Sequence, residues 1–252
     1  MTTTIAIGGK GGTGKTTIAA LLIQLLSQKG VVLAIDGDPS SNLHLAMGLP
    51  LTDEVGDIRE EMLTSIKSGR FETGISKPDY IELKIHEALV ESNKIDLLAM
   101  GRPEGPSCYC AANNMLRTSI DRLANNYDYV VIDNEAGMEH ISRQTTRDVD
   151  ILLIISDPSL RGLVTAARIK DLIAELRTQV GKIALVINRL DGSLSAEGQR
   201  LVEQAGLEVI GLLPTDPQVA SLDSTGAPLT ELDEGSSLRQ GVQDIARKLN
   251  LV

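Results

Sequence analysis

Near its N-terminus the chain reads Gly9-Lys10-Gly11-Gly12-Thr13-Gly14-Lys15-Thr16, which fits the pattern G-x-x-x-x-G-K-[ST]. A short β-branched run precedes this segment, and an apolar helical pattern opens just after it at Ile18. In the order strand, glycine loop and helix, backbone N–H groups and the helix N-terminus can surround a phosphate. The segment therefore predicts a nucleotide site, with the Lys15 ammonium on the β- and γ-phosphates and the Thr16 hydroxyl on Mg²⁺. The residues expected to hold the phosphates are Gly11, Gly12, Thr13, Gly14, Lys15, Thr16 and Thr17.

The composition indicates a globular chain with an aliphatic core. Of the 252 residues, 42% are apolar but only 2% are aromatic, which suits a parallel sheet of Ile, Leu, Val and Ala covered by helices. The net charge of −10 disfavours nucleic acid and anionic membrane surfaces as partners. No apolar run is long enough to span a membrane, and the first strand begins almost at once. We therefore expect no membrane segment, no signal peptide and a cytoplasmic protein.

Apolar runs alternate with helical patterns along the whole chain. Strands are predicted at residues 3–8, 31–36, 95–100, 129–133, 151–156, 182–188 and 208–213, and helices at 16–28, 110–125, 160–178, 196–205 and 237–249. This alternation predicts an α/β fold, with a doubly wound, mostly parallel sheet flanked by helices in a single domain over residues 1–252. Residues 53–90 show no clean periodicity; we expect a peripheral helical or loop segment there and leave its elements unassigned. Loops after parallel strands share one edge of the sheet, so the candidate functional segments should meet there.

Carboxylates follow two of the predicted strands. Asp36 and Asp38 come after the second strand, and Asp133 ends the apolar run at residues 129–132. An aspartate in the position of Asp133 supports Mg²⁺ in nucleotide hydrolases. A carboxylate that faces the γ-phosphate can orient the attacking water or accept its proton. Asp38-Pro39 is also a typical turn sequence, and the two roles are compatible.

Another strand end carries Asn188-Arg189-Leu190-Asp191. An asparagine in this position can recognise the edge of a purine base. The same run also approaches the N-K-x-D pattern, in which the aspartate reads guanine. On these residues alone, both ATP and GTP stay open.

The chain has two cysteines, and they form the motif Cys108-Tyr109-Cys110. Thiolates one residue apart do not easily form a disulfide in an ordinary loop, but both can bind one soft or borderline metal ion. A tetrahedral sulfur site takes four ligands, and a two-fold dimer would supply the second pair by symmetry. The alternative is a pair of buried structural cysteines, but the polar and glycine-containing flanks are typical of a loop.

The glycine loop resembles the deviant Walker A motif of the MinD, ParA and nitrogenase-iron-protein class of ATPases. In that class a lysine in the position of Lys10 reaches across a homodimer to the partner's nucleotide. The resemblance implies a homodimer that closes over ATP, with Lys10 and Lys15 both in the catalytic machinery. Residues 36–42 resemble switch I of the class, which implies that Asp38 activates the water and that Asp36 lies nearer the Mg²⁺ shell.

The same resemblance extends to switch II and to the base. Gly137 matches a glycine whose amide senses the γ-phosphate. Asn188 and Arg189, together with Leu213 and Pro214, resemble the adenine contacts of the class. The resemblance therefore favours ATP over GTP.

Two longer segments resemble one particular group within this class of ATPases. They read P-E-G-P-S-C-Y-C-A-A-N-N-M-L-R at 103–117 and V-V-I-D-N-E-A-G-M-E-H-I-S-R at 130–143. Both resemble the CooC-type maturation ATPases of nickel-dependent carbon monoxide dehydrogenase, and the resemblance covers essentially the whole chain. It implies Ni²⁺, or Zn²⁺ in its place, on Cys108 and Cys110 at a dimer interface. It also implies ATP and Mg²⁺ as cofactors, and carbon monoxide dehydrogenase or acetyl-CoA synthase as the client of nickel insertion.

Two other functions stay open at this point. A redox ATPase similar to the nitrogenase iron protein would carry an intersubunit iron–sulfur cluster, but that family uses two separated cysteines per subunit. A MinD- or ParA-like positioning ATPase that binds a membrane would need a basic amphipathic tail, whereas residues 241–249 contain only two basic residues. The three histidines, His44, His86 and His140, are isolated in sequence and are not assigned as metal ligands.

Overall fold

In the part of the chain that the structure describes, eight strands form one sheet, and helices cover both of its faces. This computed structural model describes residues 2–51, 53–67, 74, 76–101, 110–135, 148–176 and 179–252. The strands are β1 (Thr3–Gly9), β2 (Val32–Gly37), β3 (Val90–Glu91), β4 (Ile95–Ala99), β5 (Tyr129–Asn134), β6 (Asp148–Ser156), β7 (Gln179–Ile187) and β8 (Val209–Leu212). The helices are α1 (Lys15–Ser27), α2 (Leu43–Met47), α3 (Val55–Lys67), α4 (Lys77–Ala88), α5 (Cys110–Ala124), α6 (Leu160–Leu176), α7 (Ala196–Gln204), α8 (Pro217–Thr225) and α9 (Ser237–Lys248).

The sheet is doubly wound about β1. Its strands lie in the order β3-β4-β2-β5-β1-β6-β7-β8. Every neighbouring pair is parallel except β3 with β4. The predicted α/β fold with a mostly parallel sheet is therefore confirmed. The carboxyl ends of the parallel strands meet at one edge, where the loops after β1, β2, β6 and β7 come together with the end of β5.

Both faces of the central strands are buried, which explains their continuous aliphatic sequence. In β1, Ile5 and Ile7 join the core under α1 and α9, whereas Ala6 joins the core under α6 and α7. In β2, Leu33 and Ile35 join a third cluster with α3, α4 and α5. In the parts of the chain that the structure describes, no helix is long and apolar enough to cross a membrane.

The seven predicted strands and five predicted helices are all present, with ends that differ by up to three residues. The sequence pattern missed the edge strand β3, helices α2, α3, α4 and α8, and a short 3-10 turn at Leu229–Glu231. The unassigned stretch 53–90 contains α3 and α4. One local signal was present there, because Ser76 caps α4 by accepting a hydrogen bond from Asp79 N–H at 3.3 Å, and Pro78 stands in the first turn. Such a cap favours a helix start even where the apolar periodicity is weak.

Candidate nucleotide site

The glycine loop requires glycine at two of its positions. Gly9 has a φ of +151°, and a Cβ there would lie 2.2 Å from the carbonyl oxygen of Ile155 in the neighbouring strand β6. Gly14 has a φ of +92°, and a Cβ there would lie 2.4 Å from Asn188 Nδ2. Residues with a side chain rarely adopt these φ values. The two motif glycines are thus fixed both by backbone conformation and by space.

Lys15, Thr16 and Asp133 lie together where α1 begins. Thr16 Oγ1 donates a hydrogen bond to Asp133 Oδ2 at 2.6 Å. Lys15 is 7% exposed, and its Nζ is 3.5 Å from Lys10 O. Asp133 is 1% exposed, and its Oδ1 has no hydrogen-bond partner among the described residues. A carboxylate oxygen with a free lone pair beside a hydroxyl is the hard-oxygen donor set that Mg²⁺ prefers, so these residues fit the ion.

Asp36 lies beside Asp133 because β2 and β5 pair in register. The pKa of Asp133 is raised to about 7: burial raises it most, the hydrogen bond from Thr16 lowers it, and the charge of Asp36 adds to the rise. Burial likewise raises the pKa of Asp36 to about 6, against hydrogen bonds from the N–H groups of Leu43 at 2.8 Å and Asp38 at 3.0 Å. Two buried carboxylates side by side are costly when both are ionised. A divalent cation would remove that cost.

Asp38 opens a turn at the end of β2. Its Oδ1 accepts hydrogen bonds from the N–H group of Ser40 at 2.8 Å and from the Ser40 hydroxyl. The turn predicted from Asp38-Pro39 is therefore present. Asp38 is half-buried, and its second carboxylate oxygen takes no part in the turn. Its role in activating water stays a prediction.

Lys10 contacts an aspartate of its own chain. Its Nζ is 3.7 Å from Asp157 Oδ2, and the two side chains are 43% and 28% exposed. Asp157 follows β6, and its Oδ1 accepts hydrogen bonds from the N–H group of Ser159 at 2.9 Å and from the Ser159 hydroxyl. Burial tends to raise the pKa of Asp157, but the Ser159 hydrogen bonds and the charge of Lys10 outweigh it and lower the pKa. Lys10 would have to leave Asp157 to reach a partner's nucleotide.

Asn188 and Arg189 both bind the backbone of the glycine loop. Asn188 Nδ2 donates to Thr13 O at 2.9 Å, and Arg189 Nη1 donates to Gly12 O at 3.0 Å. Asn188 is 4% exposed. Because its Nδ2 is committed to the loop, Oδ1 is the atom that could accept a hydrogen bond from the amino group of adenine.

Asp191 is engaged by the loop that follows β8. Its two carboxylate oxygens accept hydrogen bonds from the N–H group of Thr215 at 3.1 Å and from the Thr215 hydroxyl at 2.9 Å. An aspartate that reads guanine needs these oxygens for the base, so the geometry disfavours the guanine alternative. Leu213 is buried and its backbone is bonded at the end of the sheet. Pro214 is therefore the more exposed of the two residues predicted to contact adenine.

The structure describes the two ends of the segment that carries the cysteines. Cys108 lies outside the described residues, as do Gly137 and His140. Cys110 is the first residue of α5, but its side chain is not among those described. Within the described ranges, no three His, Cys, Asp or Glu side chains are grouped as a metal site. The metal role of the cysteine pair stays a prediction.

Sequence reasoning missed two acidic residues of this edge, Asp157 and Glu54. Glu54 Oε1 accepts a hydrogen bond at 2.6 Å from the hydroxyl of Ser41, which has a φ of +47°. Glu54 also packs on Gly101, where a Cβ would lie 2.3 Å from Glu54 Oε2. Asp157 could have been found as one more carboxylate directly after an apolar strand. Glu54 lies in the stretch without periodicity and had no comparable signal.

The loop between β1 and α1 and the acidic end of β5 define a P-loop nucleoside triphosphatase. Residues 4–229 match the family model described as the CobQ/CobB/MinD/ParA nucleotide binding domain. The protein belongs to this family, and it is an ATPase.

Individual relatives cover nearly the whole chain. The chain is 45% identical over 246 residues to an uncharacterized ATP-binding protein of Methanocaldococcus jannaschii, with 97% of each protein covered. It is 33% identical over 241 residues to the carbon monoxide dehydrogenase accessory protein CooC of Rhodospirillum rubrum, which covers 90% of this chain and 89% of that protein. Among solved structures, a ParA family ATPase from Chlorobium tepidum superposes with a TM-score of 0.74 at 22% identity, with 99% of each chain covered. This last similarity shows the fold alone.

Proposed function

We propose that the protein is an ATP-dependent metallochaperone for nickel. In this proposal, two chains bind one Ni²⁺ between their cysteine pairs and couple ATP binding and hydrolysis to nickel insertion into carbon monoxide dehydrogenase or acetyl-CoA synthase. Nickel is the cargo, whereas ATP and Mg²⁺ drive the cycle. The observation that carries the proposal is that the C-x-C motif follows β4 in the sequence and runs into the start of α5, and that β4 pairs with β2, the strand that leads into switch I.

The β4–α5 connection starts at the edge of the sheet that holds the nucleotide loops. β4 ends at Ala99 and pairs with β2, whose end carries Asp36 and Asp38. The two strands are parallel, so the chain leaves both of them at the same edge. Switch I therefore begins next to the first residues of the segment that carries the thiols, and a movement of switch I could displace them.

Glu54 supplies a physical connection between switch I and this segment. It accepts the hydrogen bond from Ser41 at the end of switch I, and its carboxylate lies against Gly101, the first residue after Met100 of the β4 end. The N–H group of Gly56 also donates to Met100 O at 3.0 Å. A change in Ser41 on nucleotide binding would thus reach Gly101 through one side chain.

A homodimer would complete both the proposed nickel site and the proposed nucleotide site. Each chain has two thiols, and a tetrahedral sulfur site takes about four. A two-fold axis would bring the second pair. The proposed contact of Lys10 with the partner's nucleotide requires the same dimer. Metal and ATP would then act on one interface, and each would strengthen the binding of the other.

ATP hydrolysis would use groups that already lie together. Lys15 would neutralise the β- and γ-phosphates, and Asp38 would orient the attacking water and accept its proton. Thr16 and Asp133 would hold Mg²⁺, with Asp36 in the outer shell. When bound, Mg²⁺ supplies charge stabilisation on the β- and γ-phosphate oxygens.

The comparisons support this proposal through one relative in particular. The 33% identical protein from Rhodospirillum rubrum is named for carbon monoxide dehydrogenase. Other relatives, such as MinD of Bacillus subtilis at 25% identity over 255 residues, are named as septum site-determining proteins. A positioning role on a membrane is less well supported, because α9 buries its apolar residues Leu238, Val242 and Ile245 against the core and does not offer that face to a lipid surface.

Anaerobic titration of the purified protein with Ni²⁺, with and without Mg²⁺ and ATP, tests the proposal. Elemental analysis after gel filtration should give one nickel per dimer, and light scattering should show that nickel and ATP each promote the dimer. Cys108→Ser and Cys110→Ser should each abolish stoichiometric nickel binding and leave ATP binding intact. Tyr109→Phe is the matched control, because it changes the residue between the two cysteines and keeps both thiols.

Two results would contradict the proposal. A serine variant that still holds one tightly bound nickel per dimer would show that the C-x-C motif is not the nickel site. A broad visible absorbance with an EPR signal after reduction, in place of nickel–thiolate charge-transfer bands, would instead support the iron–sulfur alternative.

A further inference from the structure

A cavity of about 280 Å³ lies between α1 and α9, away from the glycine loop. Its wall from α1 comes from the second half of that helix and includes Leu21, Gln24 and Leu25. Its wall from α9 includes Arg239 and Val242. None of these residues takes part in the nucleotide site described above.

Two buried donors in this cavity have no acceptor. Arg239 Nε and Gln24 Nε2 are both inaccessible to solvent, and neither has a hydrogen-bond partner among the described residues. Buried N–H groups in native proteins are nearly always paired. Two such donors on side chains that line one cavity, one of them charged, point to an acceptor that these side chains reach by turning into the cavity, and a carboxylate is the group that a guanidinium recognises best.

The first turn of α9 holds Arg239 in place. Ser236 Oγ accepts a hydrogen bond from the Arg239 backbone N–H at 3.2 Å and donates one to Asp216 Oδ2 at 2.7 Å. The helix therefore begins at a fixed position relative to the loop that carries Asp216. These hydrogen bonds fix the backbone from which the Arg239 side chain extends to the cavity.

The charges and volume of the cavity limit the ligand. Among the described residues that line the cavity, Arg239 is the one cationic residue, and Glu234 is acidic. A single positive group beside a carboxylate, in a protein of net charge −10, suits a ligand with one carboxylate group and disfavours a phosphate with two charges. Leu21, Leu25 and Val242 offer apolar contact for a short aliphatic stem. The volume is slightly below that of typical ligand pockets, so the ligand must be small.

We propose that this cavity is a binding site for a small aliphatic monocarboxylate, with the carboxylate on Arg239 and Gln24 and the stem on the leucines of α1. The site is independent of the proposed nickel function. Free fatty-acid fragments and aliphatic amino acids share this carboxylate chemistry, and butyrate and alanine represent the two sources as probes.

The test follows the arginine Nε–H signals of ¹⁵N-labelled protein by NMR during titration with butyrate, alanine and inorganic phosphate. Butyrate or alanine should shift the Arg239 Nε–H signal saturably, and phosphate should bind more weakly. Arg239→Gln should weaken binding by roughly tenfold or more, the loss expected for one charge-assisted hydrogen bond. Arg247→Gln is the matched control, since Arg247 lies on the same helix, is 58% exposed and pairs with Asp244 outside the cavity.

Circular dichroism checks that each variant is folded. Should Arg239→Gln unfold, Gln24→Leu takes its place, because it removes the second donor with little change in volume. Absence of saturable binding by the wild-type protein, equal affinity of the wild-type and cavity variants, or stronger binding of phosphate than of both carboxylates would each overturn the proposal.

Discussion

The pairing of Lys10 with Asp157 predicts that Asp157→Asn strengthens ATP-driven dimerisation. Lys10 Nζ faces Asp157 Oδ2, whereas the Ser159 hydrogen bonds go to Oδ1. Asparagine can keep an oxygen acceptor for Ser159 and removes the charge that holds Lys10. The variant therefore releases Lys10 from its own chain with little change to the turn after β6.

The size of the effect follows from the exposure of the pair. Side chains that are 43% and 28% exposed and 3.7 Å apart form an ion pair worth about 0.2–1 kcal/mol. In the proposed homodimer, closure would break two such pairs, so removing them should favour the dimer by about 0.4–2 kcal/mol, or roughly 2- to 30-fold in the dimerisation constant. The gain should shrink at high salt, because exposed charges are screened.

Sedimentation velocity over a range of protein concentrations, with Mg²⁺ and a non-hydrolysable ATP analogue, measures this constant. Asp244→Asn is the matched control, because it removes a similar exposed pair with Arg247, 2.8 Å apart, on α9. The control should leave the dimerisation constant unchanged. An Asp157→Asn protein with an unchanged constant would refute the release of Lys10 into a contact between chains, and a weaker dimer would mean that Asp157 itself belongs to the closed interface.

Three further predictions concern the nucleotide edge. Asp38→Ala should bind ATP normally but hydrolyse it at least ~100-fold more slowly, since it removes the carboxylate that we propose activates water. Phosphate release and the binding of an ATP analogue measure the two effects. Asp133 has a pKa of about 7 in the folded protein against an ordinary 3.8. Between these two pH values the folded state therefore binds more protons than the unfolded state. The free energy of unfolding of the metal-free protein should fall as the pH rises from about 4 to 7. Asp133→Asn should reduce that loss by about 2–4 kcal/mol in urea unfolding at pH 5 and pH 8, and an identical pH profile would contradict the burial argument. Glu54→Ala should retain ATP hydrolysis but make nickel release independent of ATP, measured with a colorimetric nickel chelator; nucleotide-dependent release in this variant would remove Glu54 from the coupling path.

Much of the nucleotide site could be predicted from the sequence because its signals are local. The glycine loop, the apolar strand before it and the helix after it lie within about thirty residues, so their order alone indicates a phosphate cradle. Asp36 and Asp133 were predicted by one rule, that a carboxylate after a buried strand lies at the functional edge of a parallel sheet. The register of β2 with β5 then brings the two side by side.

Helices α3 and α4 were not assigned from the sequence, because their apolar periodicity is weak. They cover only one flank of the sheet, where Ile58, Ile81 and Ile85 join the cluster over β2 and β4, and their other residues are largely charged or polar. A mixed pattern of this kind does not define a helical face until the surface it packs on is known.

The sequence by itself determined that this protein has a P-loop, a parallel sheet and a set of acidic strand ends, because each depends on residues that are neighbours along the chain. Only the tertiary structure decided which side chains meet across the sheet. Lys10 pairs with Asp157, and Asn188 donates a hydrogen bond to the glycine loop, 175 residues away in the sequence. Asp191 accepts a hydrogen bond from the hydroxyl of Thr215. These contacts depend on the strand order, in which β5 and β6 flank β1, and on burial, which raises the pKa of Asp133. Neither the strand order nor the exclusion of water is a property of a short stretch of chain, so both arise only when the whole sheet has formed.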